Sequence, residues 1–401
     1  MRNVDVLVVG AGPSGAIASA ILHKNGIKTL VVDKESFPRF VIGESLLSNC
    51  MTYLQEAGLL EVVENAGYQY KNGAAFSWGE RYVYFDFCDK STPGFGTAFE
   101  VKRAEFDKLL IGEVAKQGVE VLFDTKACSF DFDGEEVKVV LENGELIRAK
   151  FIIDASGYAR VLPKVLDLEI PSTLSAKKAY FTHIEDNISE PLYDRDKILI
   201  TTHPQNREIW YWLIPFSDRT CSIGVVGEDR YLNLWLDDKE TLKKHVYDAP
   251  MLKRLLKDAL WNNAVRNISG YSKNVKTLQG DKFILLGNAG EFLDPVFSSG
   301  VTIAMHSAFI GAKCVARKIK GENVDFKVEY EDELMIGVNA FRTYVEGWYS
   351  GVFQDVIYAK NKNIKIKRNI SSILAGYAWD KSNPFVTRSD EALKAVYGYC
   401  K

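Results

Sequence analysis

The sequence predicts a mixed α/β (α+β) protein in three parts. One is a domain built on a parallel sheet, the second an inserted and mostly antiparallel β domain, and the third a helical C-terminal segment. Three observations carry that reading. Residues 4–33 run as apolar strand, glycine turn, alanine-rich helix and second strand. Residues 165–275 break into short runs of strand period. Residues 335–359 repeat bulky side chains every three or four positions. The 401 residues can bury a large core. With 47% hydrophobic and 26% charged residues, composition excludes a disordered chain.

The first element, "VDVLVVGAGPSGAIASAILHKNGIKTLVVDKES", is Rossmann-like. A buried strand leads into Gly10-Ala11-Gly12-Pro13-Ser14-Gly15, a helix follows to Asn25-Gly26, and a strand over 29–32 ends in Asp33. In such a unit the first glycine makes the tight turn, the second lets backbone approach a pyrophosphate, and the third allows close helix–strand contact. The phosphates then sit at the positive end of the helix. Asp33 follows Gly15 by 18 residues, near the spacing of an acid that holds ribose hydroxyls. This context predicts a bound dinucleotide and does not by itself separate NAD from FAD. No second GxGxxG follows.

Later stretches return to the same sheet edge. "EVKRAEFDKLL" (100–110) reads as a helix entry with Arg103 near its start and Phe106, Leu109 and Leu110 on its apolar face. "AKFIIDASGYAR" (149–160) is a strand ending in Asp154-Ala155-Ser156-Gly157. In "DKFILLGNAGEFLDPVFSSG" a strand over 283–286 ends in Gly287-Asn288-Ala289-Gly290 before a long helix. Ordinary turns use the same residues. Together, however, the junctions place three strand ends at the carboxyl edge of one parallel sheet, where such sheets bind ligands.

Between 165 and 275, "AYFTHIED", "KILITTH", "REIWYWLIPFS" and "RTCSIGVVG" read as strands, the last two joined by a hairpin turn at Ser217-Asp218-Arg219. A strand over 82–87 joins them to form a roof over the cofactor. In "WYWLIP" alternation puts Trp210, Trp212 and Ile214 on one face. That face is either packed core or the wall of a reaction chamber. The run 238–259 reads as a helical insert, and Phe341, Tyr344, Val345, Trp348 and Val352 as a buried helix face. The basic run 360–368 is a solvated face or a contact for an acidic carrier protein. The expected division is 1–67, 98–165 and 276–330 for the cofactor domain, 68–97 and 166–275 for the substrate domain, and 331–401 for the helical segment.

The net charge of −3 gives no reason to expect nucleic acid or an anionic membrane. No uncharged apolar run approaches a membrane span, so an integral membrane protein is not expected. The N-terminus enters a strand at once and leaves no room for a signal peptide. Cys50, Cys88, Cys128, Cys221, Cys314 and Cys400 are scattered and read as reduced, mostly buried thiols of a cytoplasmic protein. The five histidines are isolated, and no metal site is expected.

Taken in order, GAGPSG, the ribose acid, GES, the arginine before "EFD", DASG and GNA resemble the FAD-dependent monooxygenase superfamily with the p-hydroxybenzoate-hydroxylase-like fold. The resemblance covers roughly residues 1–330. It narrows to the flavin-dependent halogenase branch on three stretches. "WYWLIP" satisfies W-x-W-x-I-P, "FLDPVFSSG" satisfies F-x-x-P-x-x-S-x-G, and "YKNGAAFSWG" resembles the segment carrying the active-site lysine, which falls on Lys71. The resemblance implies FAD held by Gly10, Gly12, Pro13, Ser14 and Gly15, by Asp33, Lys34 and Arg39, and by Ser45 and Arg103. It adds Asp154, Gly157 and Asn288, then Pro295, Ser299, Gly300 and Val301. It implies a flavin hydroperoxide that oxidises chloride or bromide. The hypohalous acid then reaches Lys71, which acts by hydrogen bond or N-halogenation, with Trp210 and Trp212 as a water-excluding wall.

Two departures stand out: Asn288 replaces the family's usual aspartate, and Ser48 a frequent proline. The chain is shorter than typical tryptophan halogenases, which favours a phenolic, pyrrolic or carrier-bound aromatic substrate. NAD(P)H would reduce FAD directly or through a partner flavin reductase. The alternatives are an aromatic or polyketide hydroxylase, a geranylgeranyl-reductase-like alkene reductase, and a flavin-binding protein without turnover. Residue-level alternatives also stand: Lys71 as a solvated lysine in a loop, and Glu44 of "GES" as either a catalytic-site carboxylate or a helix anchor.

Overall fold

Valine dominates the strand Arg2–Val9, which is buried between two parallel neighbours, Thr29–Val32 and Leu146–Asp154. In the computed structural model, which describes residues 1–189, 191, 193–360 and 363–400, Glu120–Leu122 and Phe283–Leu285 extend this sheet, again in parallel. The register is what positions the site. Val9 lies opposite both Val32 and Asp154, and Asp154 opposite Leu285, so four strands end level. Gly10, Asp33 and Ala155 therefore leave the sheet side by side.

The helix Pro13–Lys24 packs against Ser299–Ile319. Gly15 permits the first helix to sit this close to its strand, because a Cβ there would stand 1.9 Å from the Gly10 carbonyl oxygen. By length and composition Ser299–Ile319 is apolar enough to cross a membrane, contrary to the expectation that no run comes near a span. It is instead a core helix, with 72% of its most apolar window buried inside the fold.

The second sheet runs Arg266–Ser269, Lys178–Glu185, Thr220–Gly227, Trp210–Pro215, Lys197–Thr202, Gly73–Trp78, Arg81–Asp86. All neighbours are antiparallel except Lys197–Thr202 with Gly73–Trp78. Alternation splits "WYWLIP" between two cores. Trp210, Trp212 and Ile214 face the large core, while Tyr211 and Leu213 face a smaller one formed with the helical insert. Trp212 lies across Gly224 on the next strand, where a Cβ would be 2.3 Å from its indole. The insert is two helices, Asp238–Asp248 and Pro250–Leu255, because Pro250 cannot continue the first.

Glu333–Tyr349 and Val352–Tyr358 are likewise two helices, separated at Gly351 (φ +83°). The first buries Trp348 against Phe76 and Phe297. Within the basic run 360–368, residues 361 and 362 lie outside the described residues, and Arg368 pairs with Asp89. Of the six cysteines only Cys50, Cys221 and Cys314 are buried; Cys88 and Cys128 are exposed.

Candidate functional site

At the carboxyl edge of the parallel sheet the glycine turn opens on a cavity of about 670 Å³, the size of a ligand pocket. Gly10 takes φ +108°, and a Cβ there would meet the Ala155 carbonyl oxygen at 2.4 Å. At Gly12 a Cβ would meet only Arg39 and Asp107 side-chain atoms, at 3.7 and 4.0 Å, so its backbone is open to a ligand. Pro13 and Ser14 begin the helix, whose unpaired N–H groups face the cavity. Asp33 accepts the Ala11 N–H at 2.8 Å and the Glu35 N–H at 3.0 Å, which ties the ribose-side acid to the phosphate-side turn.

Cations line the same end. Arg39 lies 3.6 Å from Asp33, Lys34 stands beside it on the rim, and Arg103 holds Asp107 through two nitrogens at 2.7 and 3.0 Å. Arg103 also donates to the carbonyls of Ile42 and Gly43, fixing the segment that presents Glu44 and Ser45. Gly157 and Asn288 complete the lining on the far side. An open glycine turn, a helix start, three cations and one acid form a donor set that fits a dinucleotide pyrophosphate and ribose.

The other end is apolar. Trp210, Trp212, Ile214 and Phe181 form its wall, with Pro295, Gly300 and Val301 opposite. Each tryptophan spends its N–H inside the protein: Trp212 donates to Ser222 Oγ at 3.0 Å and Trp210 to Tyr349 OH at 2.9 Å. Tyr349 in turn donates to Asp294 Oδ2 at 2.8 Å, and Asp294 caps the Pro295–Phe297 turn through the Val296 N–H. Burial pushes the Asp294 carboxyl up to about 6. Glu44 is buried with Oε1 2.6 Å from His183 Nε2, and its Oε2 has no partner.

Lys71 is neither in a loop nor solvated. It ends the strand Gln69–Lys71, which pairs with Ala98–Glu100, and is 0% exposed. It is absent from the cavity lining. Its Nζ donates to Ser45 Oγ at 2.5 Å and to the Leu46 carbonyl at 2.8 Å. Burial pulls the amine below its ordinary range. Ser45 does line the cavity, so the lysine stands one hydrogen bond behind the wall.

Residues 3–332 match the model of the FAD binding domain family. The chain belongs to that family. A tryptophan 2-halogenase of Chondromyces crocatus is 32% identical over 80% of this chain, which spans 62% of that enzyme's length. The 1H-pyrrole-2-carbonyl-[peptidyl-carrier protein] chlorinase of Pseudomonas fluorescens is 28% identical, covering 87% of this chain and 84% of its own. The crystal structure of a flavoprotein/dehydrogenase from Cytophaga hutchinsonii superposes with a TM-score of 0.95 at 40% identity, covering 100% of this chain and 99% of that one. The chain is thus an FAD-binding protein similar in sequence to these halogenases.

Three residues assigned to the cofactor stand back from the cavity of this FAD-binding protein. Gly15 serves helix–strand clearance. Asp154 is fully buried and accepts the Ser156 and Leu162 N–H groups, so it shapes the turn. Ser299 is buried behind Ser298 and Gly300, which do line it. Sequence reasoning passed over His183, Asp294, Tyr349 and Glu100. His183 lies within the run "AYFTHIED" that reads as a strand, but nothing in the sequence names a partner for it or for Asp294. Among the described residues no group of three or more His, Cys, Asp or Glu could hold a metal ion.

Proposed function

We propose that this chain halogenates an electron-rich aromatic ring, phenolic, pyrrolic or presented on a carrier protein. Chloride or bromide is the halogen source, and Lys71 delivers the oxidant. The observation that carries this reading is Ser45, which borders the cavity on one side and accepts the Lys71 hydrogen bond on the other. When bound and reduced, FAD supplies the redox chemistry by which oxygen and halide yield a hypohalous oxidant. The chain's residues do the rest. Gly12, the helix start at Pro13 and Ser14, Arg39 and Arg103 hold the pyrophosphate, and Asp33 the ribose. Trp210, Trp212 and Ile214 keep water from the reacting end, which strengthens every polar interaction there. The His183 contact holds the Glu44 carboxyl in place at the cavity wall. Lys71 positions and polarises the oxidant from behind Ser45.

A partner flavin reductase using NAD(P)H fits the absence of a second glycine-rich nucleotide motif. The wide scatter of the cysteines suits the cytoplasm. The test is product mass from the protein with FAD, a flavin reductase, NADH, oxygen, bromide and a panel of phenols, pyrroles and a pyrrole-loaded carrier. A bromine isotope pattern that disappears in Lys71→Ala is expected. A gain of one oxygen regardless of bromide makes the protein a hydroxylase. Alkene saturation without oxygen makes it a reductase.

A further inference from the structure

Lys71 has a carboxylate within ion-pair reach. Glu100 is 1% exposed, neither of its oxygens closes a hydrogen bond of good geometry, and the Ser45 hydroxyl stands near enough to favour its charged form. Lys71 Nζ lies 3.9 Å from its Oε1. The backbone brings this about. Lys71 sits opposite Ala98 and Gln69 opposite Glu100, so Lys71 and Glu100 are diagonal neighbours on one face of the ribbon. Ser45 bridges to Glu100 through its own backbone. Three residues far apart in sequence therefore meet behind the cavity wall.

A buried carboxylate short of donors is costly unless it is neutralised. Burial acts on both partners in the neutral direction. It lowers the Lys71 amine and raises the Glu100 carboxyl to about 7, while the attraction between them opposes it on each side. The other titratable groups facing the pair are Glu44, which raises Glu100 further, Cys50 beside Lys71, and Tyr193, which senses Glu100. His183 is engaged by Glu44, and the Phe87 ring lies 5.6 Å from Lys71 Nζ.

We infer that Glu100 is the proton partner of Lys71, a positioning residue that sets whether the lysine faces Ser45 as ammonium or as amine. The exchange is balanced: one N–H bond of the ammonium breaks, one O–H bond forms on the Glu100 carboxylate, and a neutral amine and a carboxylic acid remain. An ammonium can only donate to an oxidant, whereas the amine has a lone pair to accept from it. The pair thus chooses between the two ways a lysine can act here. This rests on the reading of Lys71 as the residue that meets the oxidant.

The test uses the full-length protein with lysine labelled at 13Cε and glutamate at 13Cδ, followed by NMR against pH. The Lys71 signal is assigned by its loss in Lys71→Met, and the Glu100 signal by its loss in Glu100→Gln. In the unaltered protein the two signals are expected to titrate in shared steps. In Glu100→Gln the Lys71 midpoint is expected to fall by about one to three pH units, the effect of losing an opposite charge at this range. The pH profile of bromination should move with it while FAD affinity stays, and Glu100→Asp should restore part of the shift. Independent titration of the two signals, or an unchanged Lys71 midpoint in Glu100→Gln, overturns the proposal. If Glu100→Gln does not fold, the Glu100 signal is assigned by its loss in Glu100→Asp, and joint titration in the unaltered protein decides. Shared steps combined with full bromination by Lys71→Met uphold the pair and sink the halogenation role of the lysine instead.

Discussion

The two ends of the site are made of different material. The cofactor end is backbone: a glycine at φ +108°, an open helix start, and an acid anchored by neighbouring N–H groups. The lysine end is side chain: Lys71, Ser45 and Glu100 come from three separate segments and meet only through strand pairing and an isolated bridge. A backbone-built end fails when geometry fails, and a side-chain-built end fails when one functional group is lost. The first should therefore govern FAD affinity and the second the rate with FAD bound.

The largest expected effect tests the backbone end. Gly10→Ala forces a side chain into a left-handed conformation and to 2.4 Å from the Ala155 carbonyl oxygen. It should cost about 3 kcal/mol of stability or more and abolish FAD binding, read by thermal denaturation and flavin fluorescence. Normal FAD affinity in this variant would break the comparison. Lys71→Met should lower bromination about 100-fold or more with FAD affinity unchanged, read by product mass and flavin titration. A loss of FAD affinity there would mean that the two ends are one unit.

Asp33→Ala removes the acceptor of the Ala11 N–H and should weaken FAD about tenfold or more, by flavin titration, with turnover at saturating FAD little changed. Behind the tryptophan wall, burial holds the Asp294 carboxyl at about 6, above an unfolded value of about 3.9. The folded protein therefore keeps this proton longer than the unfolded chain does. The stability it lends is full below about pH 4 and lost as pH rises through about 6. Urea unfolding should show unaltered protein losing about 1–2 kcal/mol relative to Asp294→Asn across that window. A flat difference would mean that Tyr349, Tyr271 and the Val296 N–H fully offset the burial. The smallest effect is expected from Tyr349→Phe, which removes the hydroxyl joining Trp210 to Asp294. It should cost about 1 kcal/mol, read by the urea midpoint, and leave FAD affinity intact.

What could be read from the residues follows the same line. The glycine turn, Asp33 and the alternation of Trp210, Trp212 and Ile214 were legible because each answers to a requirement of its own few residues: a φ angle, a clearance, or a two-residue period. The helical insert read as one element because apolar spacing continues through Pro250, whose ring nevertheless ends the first helix. Asp154 looked like a ligand-facing acid because it ends a strand at the correct edge, yet the turn that follows folds its own N–H groups back onto it.

The sequence by itself determined the α/β class, the dinucleotide turn and the alternation that puts Trp210, Trp212 and Ile214 on one face. Tertiary structure alone decided that Lys71 is buried rather than solvated, that Ser45 separates it from the cavity, and that Glu100 is its counter-charge. Local conformation depends on neighbours in the chain, whereas desolvation and pairing depend on which distant strand arrives alongside, and no spacing within "YKNG" or "EVKR" records that.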